Sequence, residues 1–457
     1  MLLALLAALP AARALGAPSA LAPARRPAGG AVRAAVGDAE AGAVETAPSR
    51  LTAALALARD CAGVDFAAGV DARDDGYGGV GLVAAAPLAA KARVISVARR
   101  DVLEVTDLDA RRKPAGAPCT QDQWASKLVG WEGRLAVLLL QARAEAPPGS
   151  TAAAWLASLP AAYGELPASW AAADVSAMDY EPLARGVDAQ RQRWRDVASV
   201  LLPSEAFTAA DLDWALATIL TRSFSGPFEG STGDQRVATF GFAAVLATVY
   251  VALGLGPPEQ AAQGLAAVAV SSILSDFLVS RDDSVSLVRH TLTPGVDLAN
   301  HAGGAAQADA SVAYEYFSDS FVISAHRDYA VGEAVCTSYG KKSNANLLLN
   351  YGFVEKGNPF DDYVFPADAP FAALRGATVT RAGFPTAVAD AAVELAGGVD
   401  EARSSLAAAC DAAAAKLAAN ANAAGGATAP QMLANQLRAE HRDLLLALAQ
   451  VTRDSAR

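Results

Sequence analysis

The residues best suited to chemistry fall between Asp297 and Phe353. The stretch opens with Asp297-Leu298-Ala299-Asn300-His301, a polar Asn-His pair in an otherwise apolar segment. It closes with Ser338-Tyr339-Gly340-Lys341-Lys342-Ser343-Asn344, followed by Tyr351-Gly352-Phe353. An Asn carboxamide offers a donor and an acceptor at once, and a phenol at the end of an apolar strand can orient a reacting group through its oxygen. Taken singly, an Asn-His pair reads as a turn and a strand-end Tyr as core; together they read as a built site. The rest of the polar inventory is sparse. Cys61, Cys119, Cys336 and Cys410 lie far apart, without the short spacing of a zinc knuckle or redox pair, so neither a metal centre nor a disulfide framework is expected.

Short strands must carry these residues. Val312, Tyr314 and Tyr316 alternate onto one face, and Phe321, Ile323 and Ala325 follow across Ser318-Asp319, which reads as a hairpin. Gly332-Glu333 turns the chain into Ala334–Tyr339. Upstream, Gly76-Tyr77-Gly78-Gly79-Val80-Gly81-Leu82-Val83 precedes another β-rich run, Arg93 to Val97. Glycines before a strand let the backbone approach a ligand, because no Cβ intervenes; a plain hairpin turn has the same composition. Residues 51–60 and 121–222 read as helical, the latter punctuated by Trp155-Leu156, Leu159-Pro160, Pro167 and Trp170, with Gln190–Leu201 amphipathic. Residues 360–457 read as helical again. Gly425-Gly426 breaks a helix over Glu401–Asn420, and Leu433, Leu437, Leu444, Leu448 and Val451 share one helical face.

Between these blocks lies an apolar interval. Val237 to Gly256 is twenty residues without a charge, and Ala261 to Val279 is a second apolar run interrupted by Gln263 and Asp276. Twenty apolar residues suffice to cross a bilayer. Pro257-Pro258-Glu259-Gln260 reads as the turn between them. Both a membrane hairpin and a soluble helical hairpin return the chain to its starting side, so both stay open.

The chain has 457 residues, enough for one large core or several smaller ones, and its net charge of −11 without a long basic run argues against nucleic acid as a partner. Its first 37 residues hold Arg13, Arg25, Arg26 and Arg33 but no Asp or Glu. An apolar run over residues 2–12 ends at Ala12-Arg13-Ala14, a small-x-small cleavage pattern, and an Ala-, Pro- and Arg-rich stretch follows. This reads as a bipartite leader that directs the protein to a plastid, with endomembrane or cytosol as the alternatives.

The set Asp297 to His301, Ser338 to Asn344 and Tyr351 to Phe353 resembles the SET-domain protein methyltransferases, in particular the branch of the Rubisco large-subunit lysine methyltransferase. Trp214-Ala215 to Arg222-Ser223-Phe224 is similar to a helix of that branch, with Thr221 in place of a serine. The resemblance implies an α+β fold: a SET domain of short strands split by a helical insertion, plus a C-terminal helical domain. The expected boundaries are a leader over 1–37, a first SET segment over 51–120, the insertion over 121–290 with its apolar hairpin at 237–279, a second SET segment over 291–358 and the helical domain over 359–457.

The resemblance also implies a cofactor, S-adenosylmethionine, and a protein substrate, Rubisco or another stromal protein. Methyl transfer asks for a neutral nucleophile, and on the order of one lysine in a thousand is unprotonated at neutral pH. An apolar channel would raise that fraction. In this reading Tyr339 is catalytic. Gly78, Gly79, Val80, Arg222, Asn300, His301 and Tyr351 hold the cofactor, and Asp297, Phe224 and Tyr351 face the substrate. Phe224 leans toward lysine, because the related histidine-directed enzymes carry Asn there; histidine methylation and a non-catalytic or membrane-tethered SET-fold module are the alternatives. Lys341, Lys342 and Asn344 are assigned to loop structure or solvent.

Overall fold

The computed structural model describes residues 22–23, 47–61, 63–74, 79–226, 233–279, 288–303, 312–315, 318–419 and 428–454. Apart from Ala22–Pro23, the expected leader lies outside them, as do Gly78, Tyr316 and the Gly425-Gly426 break.

The first block is β-rich. Strand β1 (Ala22–Pro23) and helix α1 (Ala47–Asp60) precede β2 (Val64–Phe66), β3 (Val70–Asp74), β4 (Val80–Ala84), β5 (Arg93–Ala98) and β6 (Leu103–Thr106). The helical block follows as α2 (Gln121–Ala125), α3 (Gly130–Glu145), α4 (Thr151–Ser158), α5 (Ala172–Ser176), α6 (Glu181–Leu201) and α7 (Ala209–Arg222). Side chains fix where these helices start: Thr120 caps α2 with Gln123 answering, and Thr208 caps α7 with Asp211 answering. Strand β7 (Phe224–Gly226), helices α8 (Gly233–Ala252) and α9 (Pro258–Val279), and strand β8 (Arg289–Leu292) fill the rest of the span expected as insertion.

The second β-rich block holds β9 (Asn300–His301), β10 (Val312–Glu315), β11 (Ser320–Ser324) and β12 (Ala334–Thr337), then α10 (Asn344–Tyr351). The tail begins with a hairpin, β13 (Asp362–Val364) and β14 (Thr378–Thr380), where helix was expected throughout. Helices α11 (Thr386–Ala396), α12 (Val399–Ala419) and α13 (Ala429–Asp454) complete it. Leu433, Leu437, Leu444 and Leu448 are buried, whereas Val451, in the last turns of α13, is 63 % exposed. The fold is thus mixed α+β.

The strands form small sheets ordered β1-β7-β8-β6, β10-β11-β5-β2, β3-β4-β12-β9 and β13-β14. Strands from both β-rich blocks pair with each other, so the helical block is an excursion from one β-structure. One apolar core joins the strands to α1, α3, α4 and α7, and a second joins α10 to the C-terminal helices and to α5–α6.

The apolar interval folds as the antiparallel pair α8–α9, closed by a hydrogen bond from the Tyr250 hydroxyl to Gln260 at 3.0 Å. Helix α8 ends at Ala252, so its uncharged part is about 16 residues, roughly 24 Å against a hydrocarbon core of about 30 Å. No helix among the described residues is long and apolar enough to cross a membrane. The membrane-crossing alternative for 237–279 therefore has no support among the described residues.

Candidate active site

The Asn-His pair sits where two chain segments pass side by side. Cys336 and Thr337 of β12 pair with Asn300 and His301 of β9, and this is a parallel pairing among neighbours that are otherwise antiparallel. On its other side β12 pairs with β4, Val335 against Leu82. Continuing that register two residues brings Val80 level with Thr337, the partner of His301. Val80 opens β4, the strand next to β12, while Gly78 lies outside the described residues.

Tyr339 leaves β12 two residues past its end and is fully buried. Its backbone N–H donates to His301 Nδ1 at 3.1 Å, which fixes that nitrogen as an acceptor. Its ring stacks on the His301 ring at 4.6 Å, and its hydroxyl points to the Ala299 carbonyl at 3.5 Å. The other ring nitrogen of His301, Nε2, lies 3.5 Å from Glu355 Oε2. The imidazole thus serves as a fixed plate behind Tyr339.

Helix α10 supplies the next wall. Its last residue, Tyr351, stands 5.2 Å from the Tyr339 ring, and Phe353 stands 6.3 Å from both. Gly352 turns the chain between them with φ of +74°, and a Cβ there would collide with Glu165. Only a glycine lets Tyr351 and Phe353 face the same cluster. Burial pushes the Tyr351 phenol well above its ordinary pKa, so it stays neutral across the physiological range.

Arg222 arrives from the last turn of α7, where the helix dipole favours a cation. Its Nη1 donates to both the carboxylate and the backbone carbonyl of Asp297, each at 3.3 Å. The Asp297 side chain is fully buried, and its oxygens also accept from Trp155 Nε1 and the Gly295 N–H, both at 2.9 Å. Asp297 is therefore enclosed by the fold and holds Arg222. Phe224 opens β7 two residues after Arg222 and is fully buried, paired in register with Thr291.

The structure thus brings together Tyr339, His301, Tyr351 and Phe353, with Asn300 next to His301 on β9 and Arg222 paired with Asp297. Sequence reasoning passed over three participants. Phe353 was signalled by Tyr-Gly-Phe but assigned no role. Glu355 and Trp155 act on His301 and Asp297 from distances that no local spacing reveals. Among the described residues no hydrogen bond engages the Asn300 carboxamide, although the residue is 6 % exposed. A buried amide with a donor and an acceptor to offer is suited to a polar ligand. Among the described residues no group of His, Cys, Asp and Glu could hold a metal ion.

No protein-family model and no curated protein sequence matches this chain. Solved structures do. The SET domain of LSMT bound to lysine and AdoHcy is similar over 86 % of this chain and 89 % of its own, at 16 % identity and a TM-score of 0.50. The same domain bound to methyl-lysine and AdoHcy gives 0.49 over the same shares, and Rubisco LSMT bound to sinefungin and monomethyllysine gives 0.48 over 91 % and 93 %, both also at 16 % identity. With strands from both ends of the chain interleaved around the Asn-His crossing, and a helical block between them, this protein has the fold of the LSMT SET domain.

Proposed function

We propose that this chain is an S-adenosylmethionine-dependent protein methyltransferase that acts on a lysine side chain. One observation carries the reading: Tyr339 is fully buried and enclosed by the His301, Tyr351 and Phe353 rings. The fold supports it, since a SET domain of the same architecture is known with lysine and AdoHcy bound. When bound, S-adenosylmethionine supplies an activated methyl on a sulfonium. Asn300 would hold its amino-acid end, and the aromatic wall of Tyr351 and Phe353 would cover its flat ring.

The chain's own groups account for the rest. Buried rings exclude water and favour the neutral amine over the ammonium. The Tyr339 hydroxyl, fixed between the His301 plate and the Ala299 carbonyl, presents its oxygen to the nucleophile and orients it. Tyr351 remains a neutral phenol. Arg222 is neutralised by Asp297 and acts as a rigid strut. A protein of the plastid stroma is the substrate we infer from the composition of residues 1–37.

Calorimetric titration of the full chain with S-adenosylmethionine tests the reading. Saturable binding is expected, weakened in Asn300→Ala, with near-ultraviolet circular dichroism verifying that the variant is folded. A folded wild-type protein without saturable binding would sink it. Hydrolysis of a labelled product then names the nucleophile: methyl-lysine is expected, and methylhistidine would replace lysine with the imidazole alternative.

A further inference from the structure

Beside the aromatic cluster lies a cavity of about 460 Å³, bounded by α3, α6, the end of α7 and α10. Tyr351 forms one of its walls, so the cavity abuts the reacting centre. Trp131 and Trp194 give it two aromatic faces, and Gln190, Lys342 and Asn350 give it polar ones.

The charges around it are unevenly spent. Arg193 is paired with Glu132 at 2.7 Å and also donates to the Leu128 and Val129 carbonyls, so both ions are satisfied. Lys342 is different. It follows Tyr339 by three residues, and its backbone carbonyl is anchored by Asn358 Nδ2 at 2.8 Å. Its ammonium stands 6.0 Å from the centre of the Tyr351 ring, and among the described residues no carboxylate or carbonyl pairs with it. Burial alone lowers its pKa, with no acid pulling the other way. A second group is also unsatisfied: Gln190 Oε1 is buried without a hydrogen-bond donor. An occupant that completes the cavity therefore brings a carboxylate for Lys342 and an N–H for Gln190. A polypeptide carrying Asp or Glu brings both; a free carboxylic acid brings only one.

We propose that this cavity receives an acidic residue that flanks the methyl-accepting residue of the protein substrate, with Lys342 as its counter-ion and Gln190 as acceptor of a substrate backbone N–H. The inference rests on the methyltransferase reading and assigns Lys342 a specificity-determining role, in place of the loop or solvent role expected from sequence.

The test uses short synthetic peptides with a central lysine flanked by Glu, Gln or Lys. Their binding to the full chain is read by tryptophan fluorescence with S-adenosylhomocysteine present, and their methylation by label transfer. Glutamate-flanked peptides should bind on the order of tenfold tighter than glutamine-flanked ones. Lys342→Glu should reverse the order in favour of lysine-flanked peptides, and Lys342→Met, which keeps the alkyl stem, should abolish the preference. Lys341→Glu, which changes an exposed neighbouring charge, should leave the order intact. Absent or equal binding of the three peptides, an order unchanged in Lys342→Glu, or free glutarate binding as tightly as the peptide would overturn the proposal. Ordered binding without transfer would leave acid recognition standing and remove the methyltransferase reading; transfer without preference would do the reverse.

Discussion

Arg222 and Asp297, 75 residues apart in the chain, form an ion pair at 3.3 Å with both side chains almost wholly sealed from solvent. The pair fastens the end of α7 to the turn that precedes Asn300. Trp155 Nε1 and the Gly295 N–H complete the Asp297 carboxylate, so three chain segments converge on one buried anion. Gly295 adopts φ of +77° at this turn, where a Cβ would press on Val64 and Phe66.

Removing half of a buried pair leaves the other half unpaired, at a cost of about 3–5 kcal/mol. Asp297→Asn should therefore lower the thermal midpoint sharply, while Asp71→Asn, at the more exposed pair with Arg59, should barely move it. Thermal melts followed by circular dichroism compare the two. Equal shifts would contradict a structural role for Asp297.

Asn344 predicts a second stability effect. Its side chain donates to Asp361 Oδ2 at 2.9 Å and to the Glu355 carbonyl at 3.0 Å, and accepts from the Glu355 N–H at 2.9 Å. It locks the chain that follows Phe353 against the start of α10. Asn344→Ala leaves these buried groups without partners, a loss of about 3 kcal/mol. Denaturant titration should show it, and hydrogen exchange should locate the loosening over residues 343–361.

Two buried groups of the C-terminal region set opposing pH dependences. His441 is fully buried between the Tyr180 and Tyr363 rings, and burial pushes its pKa down to about 3, against about 6.5 unfolded. The unfolded chain binds the proton first, so this stability is full above about pH 6.5 and is lost as pH falls toward 3. Burial pushes Asp361 up to about 6, partly offset by the Asn344 and Asp362 hydrogen bonds. Here the folded chain binds the proton first, so its contribution is present below about pH 4 and lost as pH rises through 6. Relative to wild type, His441→Phe should flatten the loss of stability on acidification from pH 6 to 4, and Asp361→Asn should steepen it. Stability measured across that range decides, since identical slopes would contradict both assignments.

The sequence made the strands and most helices legible because their periodicities are local. Phe321 and Ile323 share one face of β11, and Thr208 with Asp211 announces the start of α7. Asn300, His301 and Tyr339 were also legible, since polar or aromatic residues at apolar strand ends stand out from their surroundings. The burial of Asp297 was not legible, because its partners, Trp155 and Arg222, come from remote helices. Nothing in Gly-Lys-Lys-Ser tells which lysine turns inward; the Asn358 contact and the Tyr351 wall set that for Lys342. The length of α8 depended on where the helix stops, and a run without charges does not specify that.

The measurement that tests the central claim most directly is methyl transfer by the full chain, from labelled S-adenosylmethionine to plastid stromal protein, with Tyr339→Phe in parallel. The account predicts base-stable label on a discrete protein, lost in Tyr339→Phe while affinity for the cofactor is kept. Undiminished transfer by Tyr339→Phe would contradict the role of its hydroxyl, and absence of transfer by a wild-type protein that binds the cofactor, across stromal protein and lysine peptides alike, would contradict the proposed activity.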